Sequence, residues 1–204
     1  MEGESQSGAH PVKYLVGKTA GMSALVAAFI ATHVASMAGL WFGGARLPVF
    51  SFNDLNGYLV LTLNYGFTHP AENFVIGGII HYTSGILWGL IFALVIHPML
   101  GRWVKPLAAL TPTNNYIKGL IWGWVLWIIS SALWMPLLIG PLFAPIGVGV
   151  GPFLTSFGPY GVQAVFTNLL WHSIYGLNLG LLFSPVPATG SRTGWSRSTA
   201  VGMG

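Results

Sequence analysis

Four apolar runs, charged only at their edges, are separated along the chain by stretches rich in proline, glycine and polar residues. The runs lie at about residues 17–42, 73–100, 117–140 and 160–184. At 1.5 Å per residue each is long enough to cross a hydrocarbon core of ~30 Å as a helix. Between the first two runs, residues 43–72 collect Pro48, Asn53, Asp54, Asn56, Gly57 and Pro70 around the short apolar run 58–63, a pattern expected of an interfacial or re-entrant element flanked by turns. Residues 142–160, with Pro145, Gly147, Gly151, Pro152 and Pro159, form a second irregular connection. The predicted fold class is all-α: a four-helix transmembrane bundle spanning 14–184, with a flexible cytoplasmic N-terminus at 1–13 and a flexible, Ser/Gly/Thr-rich cytoplasmic tail at 185–204.

The runs repeat in pairs. The first opens Tyr14-x2-Gly17-x3-Gly21 and the third Tyr116-x2-Gly119-x3-Gly123, whereas the second carries His81-x3-Gly85-x3-Gly89 and the fourth His172-x3-Gly176-x3-Gly180. Residues four apart share a helix face, so each glycine pair predicts a face on which another backbone can come close. Matched motifs in matched order predict two parallel-repeated helical hairpins related by an axis along the membrane normal.

Composition supports the membrane reading and charge orients it. Hydrophobic residues make up 53% of the chain and charged residues 6%, too few to cover a water-facing surface. Seven of the eight basic residues (Lys13, Lys18, Arg102, Lys105, Lys118, Arg192, Arg197) fall on one side of the predicted spans and Arg46 on the other. The positive-inside bias therefore predicts a multi-pass protein with both termini cytoplasmic. It also accounts for the net charge of +4 without a nucleic-acid partner. Met1 to His10 contains Glu2 and Glu4 and no basic residue, the reverse of a signal-peptide start, so the first run is expected to be retained. With no cysteine, thiolate metal sites and iron–sulfur clusters are excluded.

The histidines carry the chemistry. Counting inward from the outer ends, His81 lies nine residues after Glu72 and His172 twelve after Tyr160, depths of roughly 13 and 18 Å. His33, nine residues before Phe42, falls at a similar depth, so three imidazoles are expected to converge in the outer half of the bundle. Polar rings are costly in lipid and turn inward, to pair, to bind a cofactor or to line a path. One reading is a neutral, hydrogen-bonded group held by nearby Ser and Thr. Another is a b-type haem with His81 and His172 as axial ligands and Gly85 and Gly176 leaving room for the macrocycle edge. A third is a metal held by His33, His81 and His172. The tryptophans of the third run, with Trp127 and Trp134 one heptad apart, are expected to face lipid or a partner subunit.

His81-Tyr-x2-Gly-x-Leu-Trp88-Gly89, Lys118-Gly119-x3-Gly123-x3-Trp127 running to Met135-Pro136, and His172-x2-Tyr175-Gly176-x3-Gly180 resemble a family of small bacterial four-helix integral membrane proteins of unknown function. The resemblance implies the four-helix topology, a place in the bacterial inner membrane and His81 and His172 as motif positions; it supplies no reaction. Three function classes follow from the residues: a non-catalytic subunit of a larger membrane complex, respiratory or otherwise redox; a b-type cytochrome or metal-binding electron carrier; and a small transporter. The partners expected are the lipid bilayer and other membrane subunits or further copies of this chain. No nucleophile–base–acid set or phosphate loop is present, so catalysis by the chain itself is not expected.

Overall fold

A computed structural model describes residues 12–49, 51–155 and 160–188. Among these residues the regular structure is all-helical apart from one two-residue strand pairing. The helices are α1 (Ala20–Trp41), α2 (Phe52–Leu61), α3 (Leu63–Thr68), α4 (Pro70–Ile91), α5 (His97–Trp103), α6 (Pro112–Ile129), α7 (Gly140–Phe143) and α8 (Gly161–Phe183). Side-chain oxygens set three of the starts: Thr19, Ser51 and Thr111 accept from the backbone N–H of Met22, Asp54 and Asn114 at 3.2–3.3 Å, each meeting a donor that the first turn leaves unpaired. α4 and α6 begin with Pro70 and Pro112, whose missing N–H costs nothing there.

Two long helices contain π-helical stretches, Phe92–Ile96 joining α4 to α5 and Ser130–Ile139 joining α6 to α7. Pro136 lies inside the second, where it has no N–H to give the preceding turn. Counted through these joins, three helices among the described residues are long and apolar enough to cross a membrane: Ala20–Ala45, Pro70–Trp103 and Pro112–Ile146. The fourth predicted span, α8, is 23 residues long and uncharged, but Gln163, Asn168, His172 and Asn178 reduce its apolar character and set it apart from those three. α8 packs against both α1 and α6, and α4 packs against α1. Its polar groups are thus largely turned to neighbours rather than to lipid.

Small residues make these contacts close. α1 presents an alanine face, Ala24, Ala27, Ala28, Ala31 and Ala35, between 0 and 5% exposed. Opposite it, a Cβ on Gly85 or Gly89 would run into Thr32 or Ala28. α6 and α8 meet backbone to backbone: a Cβ on Gly119, Gly123, Gly176 or Gly180 would strike main-chain atoms of the other helix. The glycine motif of the first run behaves differently. Gly17 adopts a positive φ of 77° before the helix begins, and a Cβ on Gly21 would meet nothing. α1 therefore packs through alanines two turns further on, not through the glycines the repeat singled out.

The irregular stretch 43–72 is the largest departure from expectation. It folds back as α2, which lies along α4. Gly77 faces the Asn53 carbonyl and the Gly57 amide, and Gly57 faces Asn73, so neither helix has room for a side chain at the crossing. Asn73, fully buried, donates to the backbone oxygen and the carboxylate of Asp54 at 3.2 and 3.3 Å and pins the start of α2 to α4.

At the opposite end the chain closes on itself. Val12–Lys13 pairs antiparallel with Val186–Pro187. Buried Asn115 accepts from His97 Nε2 at 2.7 Å and donates to the Pro185 carbonyl at 2.9 Å, tying α5, α6 and the chain after α8 together. His97 is 4% exposed, and its ring stands edge-on to Phe92 and Phe183. Replacing Asn115 by Ala is expected to lower stability by about 1–3 kcal/mol through the two groups it strands, read as a lower midpoint in a denaturing-detergent titration. The flexible ends expected at 1–13 and 185–204 fall mostly outside the described residues, and the parts inside them are this strand pair.

Candidate functional site

His81 and His172 line one cavity of about 140 Å³, with Gly85, Trp88, Trp171 and Tyr175 among its walls. α4 supplies His81 and α8 supplies His172, each placed by the glycine contacts that set its helix against a neighbour. The floor is unexpected: Phe52 and Asn56 reach the cavity from α2. Phe52 stacks on His81, centroids 5.6 Å apart and planes 9° from parallel, and presents an edge to His172 at 6.1 Å. One phenyl ring thus touches both imidazoles.

Hydrogen bonds assign the proton to one nitrogen of each ring. Ser36 Oγ lies 2.9 Å from the Thr32 carbonyl and 3.1 Å from His81 Nε2; with the hydroxyl hydrogen on the carbonyl, the shorter of the two contacts, the ring N–H donates to Ser36. His81 Nδ1 is then an acceptor. His172 Nδ1 lies 2.8 Å from the Asn168 carbonyl and donates to it, which leaves Nε2 as the acceptor. Both rings therefore keep an unprotonated nitrogen. Behind His172, fully buried Asn168 donates to Ser131 Oγ at 2.7 Å, while its own Oδ1 has no hydrogen-bond partner. The Tyr175 hydroxyl donates to the Gly85 carbonyl at 2.6 Å and closes the gap between α8 and α4.

Of the other predicted site residues, Gly85 alone reaches the cavity, and its open face is filled by Thr32. Gly176 lies in the α6–α8 contact against Gly119 and Gly123. His33 is exposed and its Nδ1 meets the Tyr82 hydroxyl at 2.8 Å. It follows Thr32 by one residue, roughly 100° further round the helix, and so misses the face that Thr32 and Ser36 turn towards α4. The expected convergence of three imidazoles is corrected to two, and among the described residues no group of three or more His, Asp or Glu is placed to hold a metal ion.

The aromatic side chains also differ from expectation. Trp122 is 4% exposed and donates to the Trp88 carbonyl at 3.2 Å, and Trp134 borders the cavity. Trp127 packs against Phe153 with its indole N–H buried and without a partner. This heptad face is therefore partly interior. Outside the spans, Tyr65 donates to Glu72 at 2.8 Å, and that bond, first among its causes, holds the phenol's pKa above the ordinary value.

Sequence reasoning did not find Phe52, Asn56, Ser36 or Asn168. Asn168 had a signal, since it stands one helical turn before His172. Phe52 had none, because its place depends on α2 folding back. Set against models of known families, curated proteins and solved structures, the chain matches none of them.

Proposed function

We propose that the chain crosses the membrane four times as two hairpin repeats with both ends cytoplasmic, in the bacterial inner membrane, and works as a non-catalytic, ligand-binding subunit of a larger membrane assembly of respiratory or other redox type. The strand pairing supports the topology. Val12–Lys13 and Val186–Pro187 lie side by side, so the number of crossings between them is even, and α8 added to the three apolar helices makes four. Lys13 lies in that pairing and Lys118 is near Gly101 at the same end, where the basic bias places the cytoplasm. A reporter active only after export, fused behind Gly204, is expected to stay silent; strong activity would overturn the topology.

The observation that carries the functional reading is the histidine cavity. Each imidazole is held by one nitrogen, His81 by Ser36 of α1 and His172 by the Asn168 carbonyl one turn before it, and keeps the other unprotonated. Phe52 covers both. This arrangement suits binding more than turnover: the hydroxyl that meets His81, that of Ser36, gives its hydrogen to the Thr32 carbonyl and so has none for the imidazole to take. The outer surface suits company: Trp41 and Val162 are 80% exposed and Trp103 69%, large apolar groups for lipid and protein to cover. Gentle extraction followed by native mass measurement is expected to show an assembly heavier than one chain. A clean monomer at native abundance would overturn the subunit reading.

The b-type haem is the second reading, favoured by one observation: both rings keep the unprotonated nitrogen that axial ligation needs. The space argues the other way. A cavity of about 140 Å³ is close to the ~150 Å³ of an engineered cavity that takes a benzene ring, and a porphyrin is several times larger. With Phe52 against both imidazoles, the residues present do not fit the macrocycle while α2 is docked. Protein purified from its native membrane is expected to be colourless. A reducible Soret band lost on His81→Ala or His172→Ala would establish haem instead.

A further inference from the structure

We infer that the cavity between α1, α2, α4, α6 and α8 binds a single hydroquinone-type ring, a flat aromatic ring carrying two hydroxyl groups, and prefers it to the oxidised quinone. The inference rests on the reading of this cavity as a ligand site. Four observations narrow the occupant.

The first is size: about 140 Å³ admits one substituted six-membered ring. The second is charge. Among the described residues no Asp, Glu, Lys or Arg lines the cavity, so an ion entering it would lose its hydration without a countercharge. The third is shape and surface. Trp88, Trp134, Trp171 and Phe52 give the walls flat aromatic faces that suit a planar ring.

The fourth decides between oxidation states. His81 Nδ1 and His172 Nε2 are both lone-pair acceptors, because Ser36 and the Asn168 carbonyl hold the protons on the opposite nitrogens. Two fixed acceptors ask for a ligand with two donors. A hydroquinone has a hydroxyl at each end of its ring and can donate twice. A quinone has only carbonyl oxygens, which would face those lone pairs with nothing to share. Among the other polar residues on the lining, Thr32 and Tyr175 give their hydrogens to the Ala28 and Gly85 carbonyls and so add acceptors. Asn56 and Ser130 do not fix the choice, because an amide offers either end and a hydroxyl rotates, and the indoles of Trp88, Trp134 and Trp171 carry N–H donors. Asn168 Oδ1, buried nearby without a donor, shows the same local excess of acceptors.

The test is anaerobic isothermal titration of the full chain in lipid nanodiscs with trimethylhydroquinone and, separately, trimethylquinone. Saturable binding of the hydroquinone is expected, tighter than the quinone by about tenfold, the equivalent of one neutral hydrogen bond gained or lost. The double variant His81→Leu/His172→Leu, checked by circular dichroism, is expected to lose this binding. If that variant fails to fold, Ser36→Ala decides. It removes the acceptor that fixes the His81 tautomer and leaves the cavity walls in place, so the preference is expected to shrink towards parity. A ring with a short isoprenoid tail binding more tightly than the bare ring assigns the ligand to a membrane quinol; equal affinity assigns it to a soluble phenol, and both are the chemistry inferred. Quinone binding as tight as hydroquinone, an unchanged preference in Ser36→Ala, or no saturable heat with the native protein would overturn the inference. None of these depends on the native mass measurement, so the ligand and the assembly can fail separately.

Discussion

Gly176→Leu is expected to prevent the protein from reaching a stable folded state in the membrane. A Cβ at this position would fall against the Gly119 carbonyl and 2.9 Å from the amide and Cα of Gly123. These are main-chain atoms, with no flexible side chain to swing away. Accommodating a leucine therefore means moving α6 off α8, and overpacking of this kind costs about 1–3 kcal/mol even where neighbours can adjust. The loss should exceed that range, because separating the helices also disturbs Gly180 against the Asn115 carbonyl and Gly123 against the His172 carbonyl. Gly21→Leu is the matched control: a Cβ there meets nothing within 4 Å, and leucine is the better helix former. Unfolding midpoints in a denaturing-detergent titration should fall sharply for Gly176→Leu and stay level or rise for Gly21→Leu. Equal behaviour of the two would sink the account of close helix contact.

That contrast also marks what the sequence could and could not say. The two glycine motifs look alike, Gly17-x3-Gly21 and Gly119-x3-Gly123, yet only the second lies in a helix crossing. A small-residue motif records that a close approach is allowed. Whether another helix is there depends on packing that a local pattern does not contain. The histidine pair was legible for a sturdier reason: polar rings buried in apolar runs must turn inward, and helical rise alone brings His81 and His172 to a common depth. His33 passed the same depth test and failed on rotation, one residue from the face that Thr32 and Ser36 turn inward. The residues that complete the site were hidden differently. Asn53, Asn56 and Gly57 have the composition of a turn, but their small size and amide groups serve a helix laid against another helix, a contact made across 19 residues between Asp54 and Asn73.

Opening the site without touching its lining tests this last contact most directly. Gly77→Leu is expected to expel α2 from α4 and expose both histidines. A Cβ on Gly77 would overlap the Asn53 carbonyl oxygen and the Gly57 amide and lie 2.7 Å from the Asn53 carbonyl carbon, all main chain. Because α2 is short and joined to α3 through the single residue Thr62, whose φ is 70°, it can leave while the long helices stay packed; short peripheral elements open at lower free energy than the core. Phe52 would leave with it, removing the ring stacked on His81 and set edge-on to His172. Diethyl pyrocarbonate labelling followed by peptide mass analysis gives the measurement. In the native protein His81 and His172 should react slowly relative to exposed His69. In Gly77→Leu both should speed up by about tenfold or more, as a small opening free energy is removed, while His69 and the buried His97 hold their native rates. Acceleration of His97 as well would mean that the whole fold had loosened. Unchanged rates at all four would mean that α2 does not cover the site, and the cavity floor on which the ligand reading rests would be lost with it.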